Sequence, residues 1–244
     1  MKLNLGCGLA QKPKDEGWVN VDRLALPGVD EAVDLFSFPW PFATSSCEEM
    51  YAGHIVEHVP HEAREAAGWR GLPLRWRLTG DQEAAFRRWV NGLLSLDGFF
   101  AFFAEVWRVL VPGGKIHVVG PYGMSHGAMQ DPTHTRFLLP QTFQYLCRQE
   151  AVTFDYGLPF EFKMLDGGMT FVGECAPLVD WATNKMGEGN EKNALLARVG
   201  WLVDHSWNMA QTLTVVLEAV KDAQQRHPCL AAPGDAQPLP EGRF

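Results

Sequence analysis

The chain of 244 residues carries 21 Lys and Arg against 29 Asp and Glu, a net charge of −8, with 46% hydrophobic, 20% charged and 11% aromatic residues. That composition excludes a disordered, collagenous or coiled-coil chain. The acidic balance leaves no global field for a phosphate backbone, so nucleic acid is not expected as a partner, and the length allows one elaborated domain or two small ones.

The first strand is expected at 2–5 (KLNL), running straight into Gly6-Cys7-Gly8. A second, at 18–22 (WVNVD), and a third, at 31–34 (EAVD), each end in an aspartate. Residues 38–42 (FPWPF) should be irregular, because alternating prolines remove donors and fix φ. A weak fourth strand is expected at 49–52, leading through Gly53 into helical spacing at 54–59 (HIVEHV). Residues 62–97 look like an insertion, punctuated by Gly68, Gly71, Pro73 and Gly80. Phe99, Phe102, Phe103, Val106, Trp107 and Leu110 then recur at the spacing of one apolar helix face, stopped by Pro112-Gly113-Gly114 and followed by a β-branched strand at 115–119.

Residues 120–139 read as a loop and 140–149 as a short helix opened by Pro140. Strands 160–162 and 169–172 suit a hairpin around Asp166-Gly167-Gly168. Helical spacing returns at 191–203, and 212–217 (TLTVVL) prefers a strand. From residue 222 onward four prolines suggest a frayed tail. Residues 1–221 are accordingly expected to form a single α/β domain, a doubly wound Rossmann-like sheet with acceptor-side loops at about 120–175.

Two glycines after the first strand let the backbone pass close to a ligand at the carboxyl edge of the sheet. The dinucleotide fingerprint would need a third glycine at position 11, which is Gln11, so a nicotinamide site is disfavoured. Asp22 is placed to accept from ribose hydroxyls, and Asp34 to take an adenine amino group while Leu35 packs on the ring. Both aspartates also suit ordinary strand-end caps. His54, Glu57 and His58 spell HxxEH, a zinc pattern when both histidines share one helical face.

The segments LNLGCG (3–8), WVNVDR (18–23), VDLFSFPWPF (33–42), HIVEHV (54–59) and FFAEVWRVLVPGGKIHV (102–118) resemble, in order and spacing, the class I S-adenosylmethionine (SAM)-dependent methyltransferases, over about half of the chain. The resemblance implies a Rossmann-like methyltransferase fold with SAM as cofactor and no metal. It implies that Gly6, Cys7 and Gly8 line the methionine portion, that Asp22 with Arg23 beside it holds the ribose, that Asp34 and Leu35 hold adenine, and that His54 sits near the sulfonium. Asn4 stands where many members carry an acid, and its amide can still accept a hydrogen bond. Residues 131–136 (DPTHTR) resemble a segment found in a subset of these enzymes. There His134 could take a proton from the acceptor, oriented by Asp131, with Arg136 binding an acidic acceptor; the plain alternative is a loop staple.

Six arginines face four acids between 62 and 90, interleaved with Trp69, Trp76 and Trp89. This suits an anionic or sugar-bearing acceptor, or solvated helix faces over a satellite core. The expected function is methyl transfer from SAM to a small-molecule or sugar-type acceptor. The rivals are a SAM- or nucleotide-binding module without turnover and an HxxEH zinc hydrolase. Five cysteines, none in a CxxC pair, fit a reducing compartment. The start of the chain has no long apolar stretch and the longest apolar run, 99–104, is far too short to cross a bilayer, so a cytoplasmic protein away from membranes is expected.

Overall fold

The computed structural model describes residues 1–67, 80–147, 156–171 and 189–221. Its main sheet has seven strands: β1 (Lys2–Leu5), β2 (Trp18–Asp22), β3 (Glu31–Ala32), β4 (Cys47–Gly53), β5 (Leu110–Pro121), β6 (Glu161–Phe171) and β7 (Ala210–Val220). Their spatial order is β3-β2-β1-β4-β5-β7-β6. The neighbours from β3 to β5 are parallel, and β7 runs antiparallel to both β5 and β6. Chain order reverses at β1, which pairs with β2 on one side and β4 on the other. In a doubly wound sheet that reversal opens a crevice at the carboxyl ends, where ligands bind.

Strand β1 is buried from Leu3 to Leu5 on both faces, as expected of a central parallel strand. Five helices are described: α1 (Gly80–Leu93), α2 (Gly98–Val109), α3 (His126–Gln130), α4 (Pro140–Gln144) and α5 (Asn190–His205). Asp97 caps α2, its carboxylate accepting from the Phe99 N–H at 2.9 Å. The spacing of α2 predicts one apolar face, yet every residue except Phe100 is buried. The reason is α1, whose Phe86, Trp89, Val90 and Leu93 are buried and whose Trp89 ring lies 6.3 Å from Trp107. Trp89 of the insertion is thus a core residue, while Trp69, Arg70, Arg75, Trp76 and Arg77 lie outside the described residues.

Several sequence expectations are corrected. Ser37–Phe38 is a two-residue strand paired with Arg64–Glu65, so the irregular stretch begins at the cis-proline Pro39. Helical spacing at 54–59 produces only one 3₁₀ turn, Val56–His58. The hairpin around Asp166-Gly167-Gly168 does not form. The segment is one eleven-residue strand, β6, that pairs along β7 and absorbs its surplus residue as a bulge between Met164 and Asp166. A long β-branched partner strand offered more ladder bonds than a tight turn would. Residues 222–244 lie outside the described residues. Among the described residues no helix is long and apolar enough to cross a membrane.

The strap 38–44 is fastened to α2 by a buried ion pair. Glu105 and Arg108 are both fully buried, with Nε to Oε1 at 2.6 Å. Glu105 also accepts from the Trp40 N–H at 2.8 Å, and Arg108 donates to the carbonyls of Phe42 at 2.8 Å and Trp40 at 3.2 Å. Prolines at 39 and 41 cannot donate, so these bonds supply the strap with partners that no strand could. Arg108→Leu should cost about 3–5 kcal/mol in urea unfolding, because it strands the Glu105 carboxylate. The double variant Glu105→Leu with Arg108→Met should recover much of the loss.

At the same C-terminal end of α2, the Lys221 ammonium donates to the carbonyls of Leu110 and Arg108. Burial, and secondarily the Arg108 charge, push this lysine from 10.5 down to about 7. Between those values the unfolded chain binds the extra proton and the folded chain does not, so stability should rise with pH across that window. Denaturation measured from neutral to alkaline pH should show the rise in the native protein and a flatter slope in Lys221→Met.

Candidate functional site

Strand ends β1 to β4 converge on a cavity of about 460 Å³. Its walls include Gly6, Asp22, Arg23, Asp34, Leu35 and His54. Gly6 has φ +64°, and a Cβ there would come within 2.5 Å of Ile55 Cδ1, which also lines the cavity. Only glycine lets the first turn pass so close to the segment after β4. The Asp22 carboxylate accepts from the Gly8 N–H at 2.9 Å and from the Leu24 N–H at 3.0 Å. Asp34 accepts from the Phe36 N–H at 3.0 Å and the Ser37 hydroxyl at 2.7 Å. Both aspartates are therefore strand-end caps and cavity walls at once. One protein bond to each oxygen leaves lone pairs for a ligand.

Three residues expected at the cofactor lie off this wall. Asn4 is buried, donating to Ala10 O at 3.0 Å and Asn20 Oδ1 at 2.9 Å. Asn20 in turn accepts from the Lys12 N–H at 2.8 Å, so the Asn4–Asn20 pair shapes the loop that follows β1. Cys7 is buried and Gly8 faces Asp22; neither lines the cavity. Burial, reinforced by the Asp22 charge, pushes the Cys7 thiol up, and burial pushes Cys47 up to about 11, which suits packing and not nucleophilic chemistry.

Beyond β4, His54 has φ +54° and its Nδ1 lies 3.3 Å from Glu57 Oε1. The adjacent Glu57 carboxylate holds the His54 imidazole above its ordinary value, against the effect of burial. Because the chain makes a single 3₁₀ turn here, the helix that HxxEH zinc binding requires is not formed. Instead His58 meets His134, the ring centroids 4.7 Å apart and the planes at 70°. A hollow of about 320 Å³ is bounded by His54, Glu57, His58, Asp131 and His134, and it shares His54 and His58 with the first cavity.

Loop 131–136 is stapled over the 57–60 segment, but not by His134. The Thr135 N–H donates to Glu57 O at 2.8 Å and its hydroxyl to Val59 O at 2.7 Å. Arg136 donates to Val59 O at 2.9 Å, Pro60 O at 3.1 Å and Asp97 Oδ1 at 2.8 Å. These bonds commit the guanidinium to the fold, where the sequence suggested an acidic acceptor. Asp131 does not hydrogen-bond His134, its Oδ2 standing 4.0 Å from Nε2. It accepts from Thr133, which lowers its pKa, and His134 is oriented by the Ala128 carbonyl 3.0 Å from Nδ1. A third hollow, about 980 Å³, shares Thr135 with the first cavity and is walled by Phe99, Phe100, Phe137, Tyr145 and Tyr156.

Sequence reasoning missed Ile55, Phe36 and Thr135 as walls, and read Glu57 and His58 within an HxxEH pattern with His54 and not as neighbours of His134. The spacing of HxxEH with DPTHTR was a signal, but the partner of each histidine is set by a contact across 76 residues.

No family model and no curated protein matches the chain. Its structural neighbours include SAM-dependent methyltransferases. A SAM-dependent methyltransferase from Archaeoglobus fulgidus superposes over 89% of this chain and 85% of its own at 14% identity and TM-score 0.47. The [4+2]-cyclase SpnF covers 90% and 74% at 16% identity and TM-score 0.43. Phosphoethanolamine N-methyltransferase 2 from Haemonchus contortus, solved with SAM, covers 90% and 48% at 9% identity and TM-score 0.44. The doubly wound fold itself rests on strand order and register.

Removing the staple tests its weight. Arg136→Met should lower unfolding free energy by about 1–3 kcal/mol, since it removes the donor to the Pro60 carbonyl, one of two donors to Val59 O and the charge partner of Asp97. Chemical denaturation of the native chain and the variant checks this.

Proposed function

We propose that the protein binds SAM in the 460 Å³ cavity and transfers its methyl group to a small-molecule acceptor. One observation carries the reading. Gly6, Asp22, Asp34, Leu35 and His54, assigned to SAM by separate motifs far apart in the sequence, line one and the same cavity. The residues fit the cofactor: a glycine passage where a Cβ would collide, two carboxylates with lone pairs to spare, and the apolar Leu35 beside Asp34.

Asp22 would hold the ribose hydroxyls, Asp34 and Leu35 the adenine, and Gly6 with His54 the methionine portion. When bound, SAM supplies an electrophilic methyl group. The chain's own contribution is chiefly orientation, since holding acceptor and methyl donor in line removes most of the entropic barrier. The 980 Å³ hollow, with five aromatic rings and the Asp97 carboxylate, suits an acceptor with a flat or apolar body and a polar end. Proton removal from the acceptor falls to His54, which lines both the cavity and the adjoining hollow.

Calorimetric titration should show one SAM or S-adenosylhomocysteine per chain, with a rise in melting temperature. Asp22→Asn preserves size and one acceptor oxygen and should weaken that binding by about 1–3 kcal/mol. The absence of both heat and a melting shift at millimolar SAM would overturn the reading. Binding without S-adenosylhomocysteine release across an acceptor panel would leave a module without turnover.

A further inference from the structure

We propose that Glu57, His58 and His134 bind one divalent transition-metal ion of the zinc and ferrous class in the 320 Å³ hollow. One potential ligand atom from each lies within 4.8 Å of the other two. Two imidazoles and a carboxylate form a donor set used for zinc and for non-haem iron, with positions left open for a further ligand. The resemblance at sequence level implied a metal-free centre; tertiary contact between the 54–60 turn and the 131–136 loop creates this one.

Three features of the donors carry the proposal. Glu57 is fully buried, and among the described residues its carboxylate is met by one nitrogen, His54 Nδ1 near Oε1, while Oε2 has no hydrogen-bonding partner. A buried carboxylate in that state is costly unless a cation completes it. His54 stands 3.3 Å from Oε1 with its side chain 64% exposed, and Oε2 faces Gly120, where an added Cβ would come within 3.2 Å.

The second and third features are the hydrogen bonds that fix the two rings. His134 Nδ1 lies 3.0 Å from the Ala128 carbonyl, which can only accept, so in the neutral ring Nδ1 carries the proton and Nε2 the lone pair. His58 Nδ1 lies 3.3 Å from Thr133 O and 3.0 Å from Thr133 Oγ1. The Thr133 hydroxyl spends its own proton on Asp131 Oδ1 at 2.7 Å, so both oxygens accept and His58 Nε2 also keeps its lone pair. Metal-ligating histidines are held in this way, the outer nitrogen donating to a carbonyl or toward a carboxylate. Asp131 and Thr133 are positioning residues for His58. Ligand distances of about 2.0–2.2 Å require the three donors to draw together by about an ångström of side-chain rotation.

The full chain, stripped with a chelator and dialysed, is titrated with Co²⁺ as the spectroscopic probe and Zn²⁺ as competitor. One ion per chain is expected by mass spectrometry, with a visible Co²⁺ band displaced by Zn²⁺ and a higher melting temperature on adding Zn²⁺. Glu57→Gln and His134→Ala should each lower affinity by at least ~100-fold, and Thr133→Val by about 10-fold with a shifted band, because it loosens a ligand without removing one. If Glu57→Gln fails to fold, His134→Asn carries the same test, with melting curves of the stripped proteins identifying the folded variants. No Co²⁺ band in the native chain, or a band unchanged in Glu57→Gln and His134→Ala, overturns the proposal. SAM titration of the stripped protein is a separate readout, so failure of either reading is seen independently.

Discussion

The carbonyls that follow β4 decide where everything at the carboxyl edge can go. A turn as short as Val56–His58 leaves the carbonyls of Glu57, Val59 and Pro60 outside any helix, and buried carbonyls need donors. Thr135 and Arg136 supply them, from a loop reached only after β5 has crossed the sheet. Arg136 continues to Asp97, the cap of α2, so the same side chain ties the loop, the turn and the central helix. His134, one residue before the staple, is carried into contact with His58 by bonds in which it takes no part.

Two buried glutamates show how differently the fold treats charge. Glu105 meets Arg108 and the Trp40 N–H, so its oxygens are spoken for and its task is to hold the 38–44 strap. Glu57, equally buried, has only the His54 ring 3.3 Å from Oε1 and no hydrogen bond for Oε2 among the described residues. Folded proteins rarely leave a carboxylate in that condition, and exceptions concentrate where a ligand, a proton or an ion completes the site. The first glutamate is architecture. The second borders a hollow it shares with His54, His58 and His134.

The cavities also divide the labour of the insertions. Asp97 and Phe99 at the start of α2 and Tyr145 and Tyr156 near β6 wall the 980 Å³ hollow, while strand ends wall the 460 Å³ one. Sheet edges are rigid and suit an invariant cofactor; helix starts and loops vary freely and suit an acceptor.

Local chemistry in the sequence determined β1, β2, α2, β5, α5 and β7, because their patterns are strong enough to be read within a window of a dozen residues, and marked β4 only weakly. It also determined the cavity walls at Gly6, Asp22, Asp34 and Leu35, since each follows a strand whose end must lie at one edge of a doubly wound sheet. Asn4 was misjudged because an amide at a strand centre reads the same whether it faces a ligand or, as here, Asn20. Strand β6 was misjudged because Asp166-Gly167-Gly168 is a turn signal in isolation and a bulge only when β7 lies beside it. Likewise HxxEH and DPTHTR are two separate words in the sequence. Only tertiary structure joined Glu57, His58 and His134, because their meeting depends on backbone carbonyls of the 57–60 turn seeking donors, and which donors arrive is fixed by the path of the chain and not by any local pattern.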